Sequence, residues 1–422
     1  MQKLAFLFPG QGSQYVGMGK KLFKEFKVAQ KTFEEASDIL GFSMQELCFN
    51  GNSDILNQTE NTQPAILTVS IAALRVYMEE LGINPSYCAG HSLGEISALT
   101  CAKAIDFSSA LKLVKQRGRF MQEAANIGSG AMAAISGIGS NIIEDECIKH
   151  SVGRNIVVIS NYNSEDQIVI SGDSDAVHSV VEEMKNRSGV RATLLKVSAP
   201  FHTPIMKPAA EKFKEELQKC DFNNPIYPVI SNVDCCPYRS KDEIAEKLVK
   251  QILMPVRWHG CIGYLMSKNV NNVLEIGPKT VLINLIKRGR YNIRTFPFES
   301  KEHVEKVKMD SNLQNASKYI PNVITKCMAM AVSIKNNNWD DEAYQNGVIK
   351  PYRKIKQLYE EIEKKEMFPD LIQMRESLEM LRLILETKKV CINEQEEIFR
   401  EIFEETEIID LFPEFQMDKY IG

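Results

Sequence analysis

Apolar residues along this chain fall into two rhythms. Short continuous runs alternate with stretches spaced three and four apart, the pattern of buried strands interleaved with helices. Residues 4–8 read as a buried strand stopped by Pro9, followed by a glycine-rich turn and a helical pattern over 20–33. Residues 65–81 read as a long helix, 87–90 as a short strand, 93–104 as the helix directly after Ser92, and 108–124 as an amphipathic helix. This alternation predicts a parallel α/β sheet.

The rhythm changes near Gly128. Residues 131–138 predict a strand, 141–150 a helix, 156–162 and 167–171 two strands joined by a turn at Asn163-Ser164-Glu165-Asp166, 173–186 a helix and 191–198 a strand. The order βαββαβ predicts a ferredoxin-like insert. Beyond it, 204–219 is helical, and 227–232 and 273–275 read as strands. From about residue 301 strands disappear. Candidate helices cover 320–334, 341–364, 370–388 and 393–405, with Pro321, Pro351, Pro369 and Pro413 as starts or breaks. Apolar positions there, such as Leu371, Ile372, Leu378, Leu381, Leu383 and Ile384, need a covering surface. The expected division is therefore a core over 1–127 and 199–300, an inserted subdomain over 128–198, and a helical extension over 301–422.

Composition narrows the class. With 44% hydrophobic and 25% charged residues the chain is an ordinary globular one, and a net charge of -4 gives no general affinity for nucleic acid. No apolar run is long enough for a membrane span, and the first run is too short for a signal peptide, so the expected location is the cytoplasm. The 10 cysteines form no C-x-x-C pair or metal-like cluster and are read as reduced, mostly buried thiols.

Gly90-His91-Ser92-Leu93-Gly94 matches G-x-S-x-G between a short strand and an alanine-rich helix, the context of a nucleophile elbow. A serine nucleophile needs a base. Of the 6 histidines, His150, His178 and His303 lie in charged stretches and read as exposed, and His91 is too near Ser92 in the same turn. His202 is held between two prolines in Pro200-Phe201-His202-Thr203-Pro204; composition leaves it open between a base and a packed loop histidine. Arg117 shares an apolar helical stripe with Ala110, Val114 and Met121. An arginine there meets an anion or snorkels from the helix edge, and the pattern alone does not choose. The turn Phe8-Pro9-Gly10-Gln11-Gly12-Ser13-Gln14 fails both nucleotide-loop patterns: Tyr15 stands at the third glycine of one and Met18 at the lysine of the other. Presenting a backbone amide or the Gln11 side chain to an oxyanion is its better use.

Taken together, FPGQGSQYVGMG, TQPAILT, GHSLGE, KQRGRFMQEA, NYNSEDQIVISG, SAPFHTPIMKPAAEKF and EIGPKTVL, in that order over about residues 1–300, resemble the malonyl-CoA:acyl carrier protein transacylase family, whose members serve fatty-acid and polyketide synthesis. The resemblance implies an α/β-hydrolase-like parallel-sheet core with a ferredoxin-like insert. It implies that malonyl-CoA is the substrate, that a phosphopantetheinylated acyl carrier protein is the partner, and that no cofactor is bound. It makes Ser92 the acylated nucleophile and His202 its base, oriented by backbone carbonyls near Gln251. It assigns the oxyanion hole to the amides of Leu93 and Gln11, the malonyl carboxylate to Arg117, and the pocket lining to Gln63, Met121, Asn161 and Asn163. Phe201, beside the base, is expected to crowd the substrate's α-carbon. Two other classes of function remain to be weighed. An acyl hydrolase relative tends to lack the carboxylate-binding arginine, and an inactive carrier-binding scaffold would not need an intact Ser92 and His202. The extension from about residue 301 is not part of the family's minimal pattern.

Overall fold

The computed structural model describes residues 3–127, 130–153, 155–195, 197, 199–310, 323–365 and 369–415. Its strands are β1 (Lys3–Phe8), β2 (Tyr87–Gly90), β3 (Gly130–Ser136), β4 (Val157–Ser164), β5 (Gln167–Asp173), β6 (Arg191–Leu194), β7 (Val229–Ile230), β8 (Val270–Ile276) and β9 (Arg294–Phe298). They form two sheets. The first has the order β7-β2-β1-β8-β9 and every pairing in it is parallel. Its central strand β1 is apolar and buried without alternation from Leu4 to Phe8, as befits a strand covered on both faces. The turns that carry Gln11, Ser92 and Lys279 leave the C-terminal ends of β1, β2 and β8, where ligands collect in parallel sheets.

The second sheet, of order β4-β5-β3-β6, is antiparallel throughout and is the expected ferredoxin-like insert. Its two faces divide by period two. Ala131, Ala133, Ile135, Ile168 and Ile170 pack with Val177, Val180 and Val181 of the helix Ser174–Lys185. Met132, Gln167 and Val169 point the other way, into a cavity. Strand β4 slips register twice, between Ile159 and Asn161 and between Tyr162 and Ser164. The first bulge sets Asn161 opposite Val169, so it faces the cavity although Ile159 packs under the helices. The bulges also carry β4 through Ser164, so the connection to β5 is only Glu165-Asp166 and not the longer turn expected from Asn163.

Several elements differ from expectation. The helix expected over 20–33 is two, Lys20–Glu25 and Lys27–Leu40, because Phe26 is extended between them. The strand expected over 227–232 shrinks to β7: Pro228 lacks an amide proton, and Asn232 turns away to hold another loop. The edge strand β9 went unread because Pro297 interrupts it, which an edge tolerates. Of the strand expected over 191–198, the structure forms Arg191–Leu194, and Lys196 and Ser198 lie outside the described residues. His150 and His303 are half-buried, not exposed.

The described residues divide into two compact units, one within 3–225 and 229–310, the other within 226–228 and 323–415. The helix Lys301–Met309 therefore belongs to the first unit, with Val304 and Val307 buried. The second unit is helical: Val323–Ser333, Asp341–Tyr344, Lys350–Lys365, Leu371–Thr387 and Ile392–Thr406 enclose Ile324, Leu381, Ile384, Phe399 and Phe403. Pro351 does not break its helix. A π-helical stretch, Gln345–Ile349, precedes it and takes up the irregularity where the ring would crowd the carbonyl of residue 347. Asp370 and Gln373 form a capping box that starts Leu371–Thr387. Leu378, Leu381 and Ile384 are buried as expected, while Ile372 and Leu383 are exposed. Pro321 lies outside the described residues.

Candidate active site

Strand β2 ends at Gly90, and the helix Leu93–Cys101 starts two residues after His91. Between them Ser92 takes φ 52° and ψ -106°, a strained conformation for a residue with a side chain. The flanking glycines make the turn possible. A Cβ on Gly90 would fall 1.9 Å from the carbonyl of Gly94, and one on Gly94 would fall 2.0 Å from the carbonyl oxygen of Phe8. The elbow is also held from behind. Asn232 accepts from the Ser92 amide at 2.7 Å and donates to the Gly90 carbonyl at 2.8 Å.

The Ser92 hydroxyl lies 2.8 Å from Nε2 of His202. On the far side of the ring, Nδ1–H of His202 donates to the Gln251 carbonyl at 2.6 Å. That bond sets the tautomer, leaving the Nε2 lone pair free to accept the serine proton. His202 itself has φ 60°, in the left-handed region, and the Thr203 hydroxyl ties the loop back to the Pro200 carbonyl. Burial above all, then the neighbouring Arg117 charge, pushes His202 down to about 3; the Gln251 carbonyl opposes this. The ring is therefore neutral at neutral pH.

Arg117, 1% exposed, does meet polar partners. Its Nη1 donates to Oε1 of Gln63 at 2.9 Å, and its Nη2 donates to Oε1 of Gln251 at 2.9 Å and to Ser92 Oγ at 3.1 Å. Three of the guanidinium's five N–H donors are thus engaged. Burial lowers its pKa to about 10, which still leaves it a cation, and Glu95 nearby supports the charge. Gln63 in turn donates to the Met121 sulfur at 3.6 Å.

A cavity of about 530 Å³ opens over this group. Gln11, Gln63, Ser92, Leu93, Arg117, Met121, Asn161, Asn163, Phe201 and His202 all line it, joined by Met132, Gln167, Leu195 and Lys279. Gln251 does not line it and reaches the site from behind, through His202 and Arg117. The Gln11 side chain donates to the Thr59 hydroxyl at 3.4 Å. His91 does not approach Ser92 as a base; its ring pairs with Oδ1 of Asn163 at 2.9 Å. Lys279 donates to the carbonyls of Gly12 at 3.4 Å and Gln14 at 2.9 Å, clamping the turn after β1.

Reading the sequence missed Glu95, Asn232 and Tyr238. Glu95 had a signal, since it is a carboxylate inside the apolar helix that follows the nucleophile. It is fully buried and accepts from Gln251 Nε2 at 2.6 Å, the Asn232 amide at 3.1 Å and the Tyr238 hydroxyl. Asn232 and Tyr238 had none, since only the tertiary fold brings them to the elbow.

This chain is similar to known proteins along most of its length. The acyl transferase domain family matches residues 5–327. A malonyl CoA-acyl carrier protein transacylase of Bacillus subtilis is 39% identical over 404 residues, covering 95% of this chain and all of that protein, so the likeness runs through the helical extension. The Escherichia coli K12 protein of that name is 44% identical over 288 residues, 68% of this chain and 93% of its own. Among solved structures, the Coxiella burnetii malonyl CoA-acyl carrier protein transacylase superposes with a TM-score of 0.71 at 39% identity, over 72% of this chain and 96% of that one. A malonyl-transacylase solved in complex with a type II PKS acyl-carrier protein gives 0.70 at 40%, over 74% and 100%. The chain belongs to the acyl transferase domain family, among the malonyl CoA-acyl carrier protein transacylases.

Proposed function

We propose that this protein transfers malonyl from malonyl-CoA to the phosphopantetheine thiol of an acyl carrier protein, by way of a malonyl ester on Ser92. The observation that carries the reading is a buried arginine within hydrogen-bonding distance of the nucleophile itself. In the first half-reaction Ser92 gives its proton to Nε2 of His202 and attacks the thioester carbonyl. The amides of Leu93 and Gln11 receive the oxyanion, and coenzyme A leaves as its thiol with the proton from His202. In the second, the carrier's thiol passes its proton to His202, attacks the ester, and Ser92 recovers its hydroxyl. Arg117 binds the free carboxylate, using an uncommitted Nη1 hydrogen and giving up its longer bond to Ser92. Gln63 orients Arg117, Met121 and Asn161 shape the pocket, and Asn163 holds His91 aside. Phe201 limits bulk at the α-carbon. No step calls for a cofactor.

A cytoplasmic setting is part of this reading. All 10 cysteines are free, as a reducing compartment leaves them, and among the described residues no helix is long and apolar enough to cross a membrane.

The test is intact-protein mass spectrometry after incubation with malonyl-CoA or acetyl-CoA, with and without carrier protein. A malonyl adduct on Ser92 that the carrier discharges, with ping-pong kinetics, is the expected result. Arg117→Ala should lose the preference for malonyl over acetyl. Adduct formation by Ser92→Ala, or ternary-complex kinetics, overturns the mechanism.

A further inference from the structure

Glu95 does not touch the cavity, yet two hydrogen bonds join it to Arg117. The path runs through the Gln251 amide. That amide donates twice, to the Glu95 carboxylate at 2.6 Å and to the Ser92 carbonyl at 3.0 Å, and accepts once, from Arg117 at 2.9 Å. A glutamine amide can be turned over, exchanging its oxygen and nitrogen at little steric cost. Turned over here, it would set its NH2 group against the Arg117 guanidinium, donor against donor. An ionised carboxylate, like the Ser92 carbonyl, only accepts, so Glu95, with the shorter of the two bonds, locks one orientation. The two other donors that converge on Glu95, from Asn232 and Tyr238, keep it an acceptor.

We infer that Glu95 is a positioning residue for substrate selection: it fixes the Gln251 amide so that Oε1 faces Arg117 and holds the guanidinium where a substrate carboxylate is met. The inference rests on the transferase reading, in which Arg117 selects malonyl. Burial raises the Glu95 carboxyl to about 7 against the opposing pull of its three hydrogen bonds. An assay at about pH 8 keeps it ionised.

The experiment compares Ser92 acylation rates with malonyl-CoA and acetyl-CoA in the full-length protein. Glu95→Met removes the carboxylate acceptor and leaves the Gln251 amide held by the Ser92 carbonyl alone. The malonyl-to-acetyl ratio should fall by about tenfold or more, the scale of a hydrogen bond to a charged group. The same substitution added to Arg117→Ala should not change the ratio further. Gln251→Met gives a second route: it removes the amide but keeps the backbone carbonyl that orients His202, and it too should lower the ratio. A structural role alone would lower both rates together and leave the ratio intact. An unchanged ratio in folded Glu95→Met or in Gln251→Met overturns the inference. A wild-type enzyme with no preference for malonyl would instead sink the reading of Arg117.

Discussion

Replacing Arg117 with alanine should move the acid limb of Ser92 reactivity upward. Nε2 of His202 and Nη2 of Arg117 both contact Ser92 Oγ, at 2.8 and 3.1 Å. They therefore lie within about 6 Å of each other, and two unit charges ~5 Å apart at an effective dielectric of about 20 repel by about 3 kcal/mol, or about two pKa units. The sign follows from which form is penalised. Arg117 disfavours the imidazolium, so its removal raises the pKa of His202 from about 3. Burial, the larger cause, remains, and the variant should stop at about 5, short of an ordinary histidine at roughly 6.5. A neutral sulfonyl fluoride is the right probe, because it acylates the serine without needing a carboxylate site. Across about pH 4.5–8.5 the unaltered protein should react at a rate independent of His202 protonation, while Arg117→Ala slows below about pH 5. A wild-type midpoint near 6.5 would refute a buried, neutral base. An acid limb unmoved by Arg117→Ala would refute the charge coupling.

Three further outcomes are expected. Gly94→Ala forces a Cβ against the Phe8 carbonyl, so it should cost about 1–3 kcal/mol or more in denaturant unfolding and abolish Ser92 labelling; a stable, reactive variant would show that the elbow has slack. Phe201→Ala should admit methylmalonyl-CoA, read as the ratio of methylmalonyl to malonyl adducts, and equal rates in the unaltered protein would remove Phe201 from substrate choice. A chain truncated after Asp310 retains every residue assigned to the chemistry and should still form the malonyl-serine adduct; if it is folded but unreactive, the extension contributes to the site.

The elbow was legible in the sequence because its constraints are local. A strand, two glycines that must let backbone approach, and a small-residue helix occur within a dozen positions. Arg117 was legible for a different reason, as a charge where the helical period calls for an apolar residue. The same rule applied to the helix after Ser92 would have found Glu95, three residues on. The cavity face of β4 was not open to pattern reading. Period two carries a side chain from Ile159 to Asn161 on one face, and only the bulge at Ser160 reverses that. The Gln251 side chain was missed because the resemblance pointed to backbone carbonyls in its region. Its carbonyl does meet His202, and its amide does separate work on Arg117.

What joins these features is the way the site sustains its strain. Ser92 and His202 both occupy positive φ, which costs about 1–3 kcal/mol each and persists only where the surroundings over-determine it. Ser92 is fixed by Asn232 at its amide and by Gln251 at its carbonyl; His202 is fixed by the Gln251 backbone at one ring nitrogen and by Ser92 at the other. Asn232 and Gln251 are both bound in turn to Glu95. One buried carboxylate thus braces both halves of the reacting pair and the arginine beside them. A buried charge of this kind is costly where it serves stability alone. Here it holds a nucleophile and a base in backbone conformations that neither would keep unaided, and the helix that presents Ser92 carries the brace one turn further along.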